Sequence, residues 1–219
     1  MKRKLFLLLG VIGLFIFLFF YLRSDNNLSQ YETRLINYEK YQNGDLIFQT
    51  SKSDQSAAIQ LATKSKYSHC GIIYKVGHDY YVFEAVKTVK LTPLGEWIDR
   101  GKNRYFVVKR LKNAAQILTS KSIKKMKNEG QQFKNKKYDY TFEWSDDKIY
   151  CSELIWKIYK RAVGIEIGKL EKLGDFDLTN KKVMQILKDR YKNKIPLNET
   201  VISPEAIFDC KLLYTVASN

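Results

Sequence analysis

The stretch Asp146-Asp147-Lys148-Ile149-Tyr150-Cys151-Ser152-Glu153-Leu154-Ile155-Trp156 sets a cysteine at the start of an amphipathic helix, with Leu154, Ile155, Ile158, Tyr159 and Ala162 following at helical spacing. Any fold that takes this segment must bury the apolar stripe and keep the thiol at a helix N-terminus. There the unpaired N–H groups and the positive end of the helix dipole favour thiolate over thiol. Two readings are open at this point: a small residue buried on a packing face, as free cysteine commonly is, or a nucleophile.

A nucleophilic cysteine needs a base, and the chain has two histidines. His69 lies in Tyr67-Ser68-His69-Cys70-Gly71-Ile72-Ile73-Tyr74, where a polar approach becomes a β-branched run, so it sits at the mouth of a buried strand. His78, in Val76-Gly77-His78-Asp79-Tyr80, follows a glycine between two alternating runs, which is a hairpin turn with a solvated histidine. His69 is the better base. On the next predicted strand, Tyr80-Tyr81-Val82-Phe83-Glu84-Ala85-Val86, Glu84 is one carboxylate in an apolar and aromatic run. A turn centred on Gly77 and His78 places His69 roughly opposite the Glu84 end. Glu84 then either meets a cation across the hairpin and orients the base, or points to solvent.

Taken together, Gly44-Asp45-Leu46-Ile47-Phe48-Gln49-Thr50-Ser51, Tyr67-Ser68-His69-Cys70-Gly71-Ile72, Phe83-Glu84-Ala85, Tyr138-Asp139 and Tyr150-Cys151-Ser152-Glu153-Leu154 resemble the permuted papain-like hydrolases of the YaeF/YiiX type. These are relatives of the NlpC/P60 cell-wall amidases and of the lecithin retinol acyltransferase group. In papain and the ordinary NlpC/P60 enzymes the cysteine precedes the histidine; here His69 precedes Cys151, which resembles a circular permutation. The similarity runs from about Asn43 to at least Gly164, and more weakly through Val201-Ile202-Ser203-Pro204. It implies an α+β, circularly permuted papain-like (NlpC/P60-type) fold with an antiparallel sheet packed against helices. It also implies Cys151 as nucleophile, His69 as general base and Glu84 as the polar group that orients the histidine, with no cofactor and no metal. The Cys151 backbone N–H, with Tyr150 or Gln49, is the candidate oxyanion and substrate pocket. Cys70 departs from the pattern as a second thiol. Strand alternation puts it on the face opposite His69, so burial behind the sheet is expected.

At 219 residues the chain fits one domain with appendages, and its 45% hydrophobic share is enough for a core. The net charge of +15 suits an anionic neighbour such as lipid head groups or wall polymers. Nucleic acid suits the charge too, but no nucleic-acid-binding motif accompanies the lysines, so none is expected. The three cysteines, Cys70, Cys151 and Cys210, are odd in number and lack CxxC spacing, so neither a zinc site nor a disulfide framework is indicated. A Cys70–Cys210 bridge is the disfavoured alternative.

Lys2, Arg3 and Lys4 precede an apolar run at 5–22 that is long enough to span a bilayer and lacks a small-residue cleavage site. Residues 1–23 therefore read as a signal anchor, with a cleaved signal peptide as the alternative. The positive-inside rule puts the remainder outside the cytoplasm. Residues 24–42 read as a linker and short helix, and 43–219 as the catalytic domain. Within it, strands are expected at 46–48, 89–93 and 104–111, and helices at 54–66, 94–100, 119–134 and 181–190. The helix at 119–134 carries Lys121, Lys124, Lys125 and Lys127 on its polar side, either as a solvated face or as one that meets anionic lipid or polymer. The aromatic loop at 138–144 is expected to wall the site. The reading is a membrane-anchored extracytoplasmic cysteine hydrolase that cleaves an amide, in a cell-wall peptide or an N-acyl amino acid or lipid amide, through a thioester acyl-enzyme. An acyltransferase or lipid esterase on the same site and a non-catalytic basic binding module are the competing readings.

Overall fold

Short β-branched and aromatic runs separated by tight turns pair here into one antiparallel sheet. The computed structural model describes residues 38–192 and 194–219, so the anchor expected at 1–23 and most of the linker at 24–42 lie outside the described residues. Among the described residues no helix is long and apolar enough to cross a membrane. The chain divides into the units Met1–Lys40 and Tyr41–Asn219, and the second carries everything that follows.

In chain order that unit contains β1 (Leu46–Ser51), α1 (Asp54–Thr63), β2 (His69–Val76), β3 (Asp79–Ala85), β4 (Val89–Pro93), α2 (Leu94–Arg100) and β5 (Gly101–Leu111). Then come α3 (Ala114–Ile117), α4 (Ser120–Phe133), α5 (Cys151–Val163), β6 (Glu171–Lys172), α6 (Lys181–Tyr191), β7 (Thr200–Val201), α7 (Pro204–Phe208) and β8 (Leu213–Ser218). The main sheet has the order β4-β3-β2-β1-β5-β8 with antiparallel neighbours throughout, and β6 pairs with β7 separately. The expected hairpin is there: Gly77, at φ +64°, turns β2 into β3, and the two-residue turn matches the strands' twist.

Helix α5 lies on the face of the sheet formed by Leu46, Phe48, Cys70, Ile72 and Tyr74, and buries Leu154, Ile155, Ile158 and Tyr159 there. Its start is pinned twice. Glu153 is buried with Lys157 Nζ at 2.7 Å, and Lys157 also holds Asp146 at 2.8 Å in the loop that leads to the cysteine. Gly164, at φ +75°, ends the helix in the left-handed conformation that glycine adopts without strain. Helix α4 packs beside α5 through Ile123, Met126, Gly130 and Phe133. Helix α2 covers the opposite face and buries Trp97 completely. A smaller core of Ala58, Leu173, Val183, Leu187 and Val201 joins α1, α6 and the β6–β7 ribbon.

The two sequence motifs before the site also find a structural reason. Asp45 is buried and accepts from Arg110 Nε at 2.7 Å, Arg110 Nη2 at 2.8 Å and the Gln42 N–H at 2.8 Å. The Asp139 carboxylate accepts from the Thr141 and Glu143 N–H groups at 2.8 and 2.6 Å, which curls the aromatic loop back on itself. The sequence reading did not find α3, α7, β6, β7 or β8. These elements are two to six residues long, too short for a period to show.

Candidate active site

His69 is the first residue of β2 and pairs with Gln49 of β1. The β2–β3 pairing stops at Ile72–Phe83, short of the histidine, so its ring stands at the open end of the sheet. The ring stacks on Trp97 with centroids 5.8 Å apart. Its Nε2 lies 2.6 Å from Glu84 Oε2. The other carboxylate oxygen, Oε1, accepts from Thr92 Oγ1 at 2.6 Å and from the Arg100 guanidinium. A fully buried carboxylate is tolerated because every oxygen has a donor and two of the donors are cationic or become so. Gly71 makes this approach possible. A Cβ there would stand 2.3 Å from Val82 Cγ1, 3.0 Å from the Phe83 carbonyl oxygen and 3.4 Å from Glu84 Cβ.

Charge is arranged accordingly. Burial alone would raise the Glu84 carboxyl, but the hydrogen bond and charge of His69, the charge of Arg100 and the Thr92 hydroxyl hold it at about 2. Burial alone would lower the imidazole, yet its hydrogen bonds to Cys151 and Glu84 push it up to about 10. The Cys151 thiol falls well below its ordinary range, chiefly through the hydrogen bond from Cys70, against the opposing effect of burial and with help from His69 and the Cys70 backbone. Both shifts favour the thiolate and imidazolium over the neutral pair. Since Glu84 occupies Nε2, the ring nitrogen left for sulfur is Nδ1.

Cys70 is buried, as expected, but its position needs a correction. It faces α5 beside Cys151, because α5 packs on the sheet face that Cys70 shares with Phe48 and Ile72. Its own thiol is pushed far above the ordinary range by burial and by the neighbouring Cys151, so it stays a donor. All three cysteines are free thiols.

The two oxyanion candidates are placed differently. Tyr150 caps α5 and lines the cavity in front of Cys151, but its hydroxyl accepts the Ile202 N–H at 3.1 Å. Gln49 is buried on the His69 side of the sheet, with Oε1 against Gly101, and does not line the cavity at the thiol. Tyr138 joins Tyr150 at the thiol. Its hydroxyl accepts from Gln55 Nε2 at 3.0 Å and hydrogen-bonds Cys151, while burial and that neighbouring sulfur keep it protonated. Sequence reasoning had Tyr138 among the motifs of the resemblance and in the aromatic loop expected to wall the site, and gave no role to Thr92, Arg100 or Trp97. The one available signal was the basic residue ending the short helix that carries Trp97.

The comparisons decide the family. The family described as "Permuted papain-like amidase enzyme, YaeF/YiiX, C92 family" matches residues 40–217. The chain belongs to the permuted papain-like amidases. It is 47% identical over 178 residues, 81% of this chain and 87% of the relative, to the uncharacterized protein YiiX of Escherichia coli strain K12. The crystal structure of metalloprotein yiiX from Escherichia coli O157:H7 superposes with a TM-score of 0.78 at 47% identity, covering 82% of this chain and 98% of that one. In this amidase the described residues hold no group of three or more His, Cys, Asp or Glu side chains suited to a metal. The donor set at the site fits one poorly as well: the Glu84 oxygens are taken by His69, Thr92 and Arg100, and a guanidinium beside a metal ion would be repelled.

Proposed function

We propose that this permuted papain-like amidase hydrolyses an amide through a thioester on Cys151, with His69 as acid and base and Glu84 as the group that orients it. The observation that carries the reading is the His69 ring set between Glu84, whose Oε2 lies 2.6 Å from its Nε2, and the neighbouring Cys151. The thiolate adds to the amide carbonyl, and the Cys151 N–H at the helix start with the Tyr138 hydroxyl stabilises the oxyanion. The C–N bond breaks, the amine leaves with the imidazolium proton, and the acyl group stays on sulfur. Water then gives its proton to His69 and its oxygen to the acyl carbon, and sulfur leaves as thiolate.

The test uses an electrophilic acyl-amide probe on the full chain. Labelling should be confined to Cys151, vanish in Cys151→Ala and fall about a hundred-fold or more in His69→Ala, the usual scale of general acid–base help. Labelling indifferent to His69→Ala would remove the base assignment. The reading includes a site outside the cytoplasm, anchored through residues 5–22, on the charge and hydropathy of that segment. Deleting residues 1–23 should move the protein from the membrane to the soluble fraction.

A further inference from the structure

The thiol and the imidazole open into different cavities. The one with Cys151 on its wall is apolar and is closed by residues of α1 and α6. The other, about 680 Å³ with its open mouth, has His69 on its wall and is lined by Ser51, Ser53, Ser56 and Ser68. Ser68, just before His69, and Ser56, on the first turn of α1, are buried there at 4% and 2% exposure. Their hydroxyl oxygens lie 2.6 Å apart. Ser68 Oγ also accepts the Ser51 N–H at 3.0 Å, and Ser56 Oγ accepts from Gln60 Nε2 at 3.0 Å. Two hydroxyls carry two protons: one lies between the oxygens, and the other meets no acceptor among the described residues. A buried O–H in that state costs free energy unless something from outside accepts it.

Charge points the same way. Lys87 lies two residues past the end of β3, exposed where it lines the cavity, and forms no ion pair among the described residues. Its carbonyl accepts the Tyr138 N–H at 3.1 Å, which ties this rim to the loop beside Cys151. No aspartate or glutamate lines the cavity.

Resting on the hydrolase reading above, we propose that this cavity holds the amine half of the substrate and selects an amine that carries an anionic group, a carboxylate or a phosphate, bound by Lys87 and the spare proton of the Ser56–Ser68 pair. Chemistry sets the side: the departing amine takes its proton from His69, so it stands where the imidazole faces. An anion beside it accepts from both donors. A cationic amine would instead meet Lys87 and the imidazolium with no carboxylate to answer it, and an apolar one would leave the hydroxyl proton unpaired.

The experiment runs the departure step in reverse. The full chain is given p-nitrophenyl butyrate, which releases p-nitrophenol as the butyryl group passes to Cys151. Glycine, glycinamide, O-phosphoethanolamine or ethanolamine is added at equal free-base concentration to compete with water. The amine nitrogen bonds to the acyl carbon, the C–S bond breaks, the amine's surplus proton passes to His69, and sulfur leaves as thiolate. The readout is the ratio of N-butyryl amide to butyrate, which does not depend on how fast the acyl-enzyme forms. Each anionic amine is compared with its neutral partner in the unmodified protein and in Lys87→Gln, so the amines' intrinsic reactivities cancel. The expected result is an anionic-to-neutral preference that falls about ten-fold in Lys87→Gln, falls with raised salt, and reverses in Lys87→Glu. Either hydroxyl can supply the spare proton, so Ser56→Ala alone should lower the preference less than Ser56→Ala with Ser68→Ala, both checked by thermal melt. The glycine and O-phosphoethanolamine arms tell carboxylate from phosphate, and a preference for either one supports the proposal. A preference untouched by Lys87→Gln, or p-nitrophenol release with no amide formed from any amine, overturns it and leaves the hydrolase reading standing. Release that is the same in Cys151→Ala overturns the hydrolase reading, and the proposal with it.

Discussion

Glu84 is withdrawn from water and still charged, and the cost of that burial is offset by three donors that a solvated carboxylate would not need. Its pKa, lowered from 4.5 to about 2, contributes stability that is fully present above the ordinary value and is lost as pH falls through about 2. The shift corresponds to about 3 kcal/mol at most, and it is the same contact that raises His69, so it counts once. Glu84→Gln should therefore flatten the acid limb of stability between about pH 4.5 and 2, read by melts over a pH series, and lower kcat/KM about a hundred-fold. His69 has the opposite sign: its contribution is complete below its ordinary 6.5 and lost as pH rises through about 10. Iodoacetamide should accordingly meet a thiolate across the neutral range. Cys70 supplies the largest pull on that thiolate, so Cys70→Ala should move the acid midpoint of Cys151 alkylation upward, and Cys70→Ser, which keeps a donor, should move it less.

The β2–β3 hairpin and helix α5 are the elements that bring the site together. The hairpin sets His69 and Glu84 on one face by strand alternation, and α5 brings Cys151 to the other. The histidine reaches sulfur because it begins its strand, beyond the last β2–β3 pair. Gly71 sits between His69 and Glu84 in a space too tight for a Cβ. Gly71→Ala must push aside Val82 and approach the Phe83 carbonyl, so the melt should drop by the equivalent of about 1–3 kcal/mol, and the His69–Glu84 distance should lengthen enough to cut activity. The α1–α6 layer has a separate small core, and Leu187 is buried in it and lines the apolar cavity. Leu187→Ala should cost about 2–5 kcal/mol of stability, measured by urea unfolding.

For the molecule as a whole, the net charge of +15 includes a concentrated patch on α4, where Lys121, Lys124 and Lys125 are exposed and Lys127 rests its Nζ 5.3 Å from the Tyr74 ring. Such a surface is suited to an anionic membrane face, which a protein anchored through residues 5–22 would have beside it. Changing Lys121, Lys124 and Lys125 together to Gln should weaken binding of the protein lacking residues 1–23 to vesicles rich in anionic lipid, while thiol labelling is unchanged. Raised salt should weaken the unmodified protein in the same way. Equal binding by both forms would leave α4 as an ordinary solvated face.

The sequence by itself determined the local half of this protein. Helix α5 with its cysteine, the hairpin with Gly77 at its turn, the helix at Ser120–Phe133 and the left-handed stop at Gly164 all follow from periods, caps and turn chemistry that act over a few residues. The motifs from Gly44 to Leu154, in their order and spacing and with histidine before cysteine, were enough to show the resemblance to the permuted papain-like family, which the family match bears out. Tertiary structure alone decided which face of the sheet α5 covers, and so turned Cys70 from a residue behind the sheet into the donor beside Cys151. It also brought Thr92 and Arg100 to Glu84, put Tyr138 at the thiol in place of Gln49, and closed an apolar cavity from helices far apart in the chain. Periodicity says which side of an element is apolar but carries no information about which other element will cover it. That choice is made by packing between distant segments.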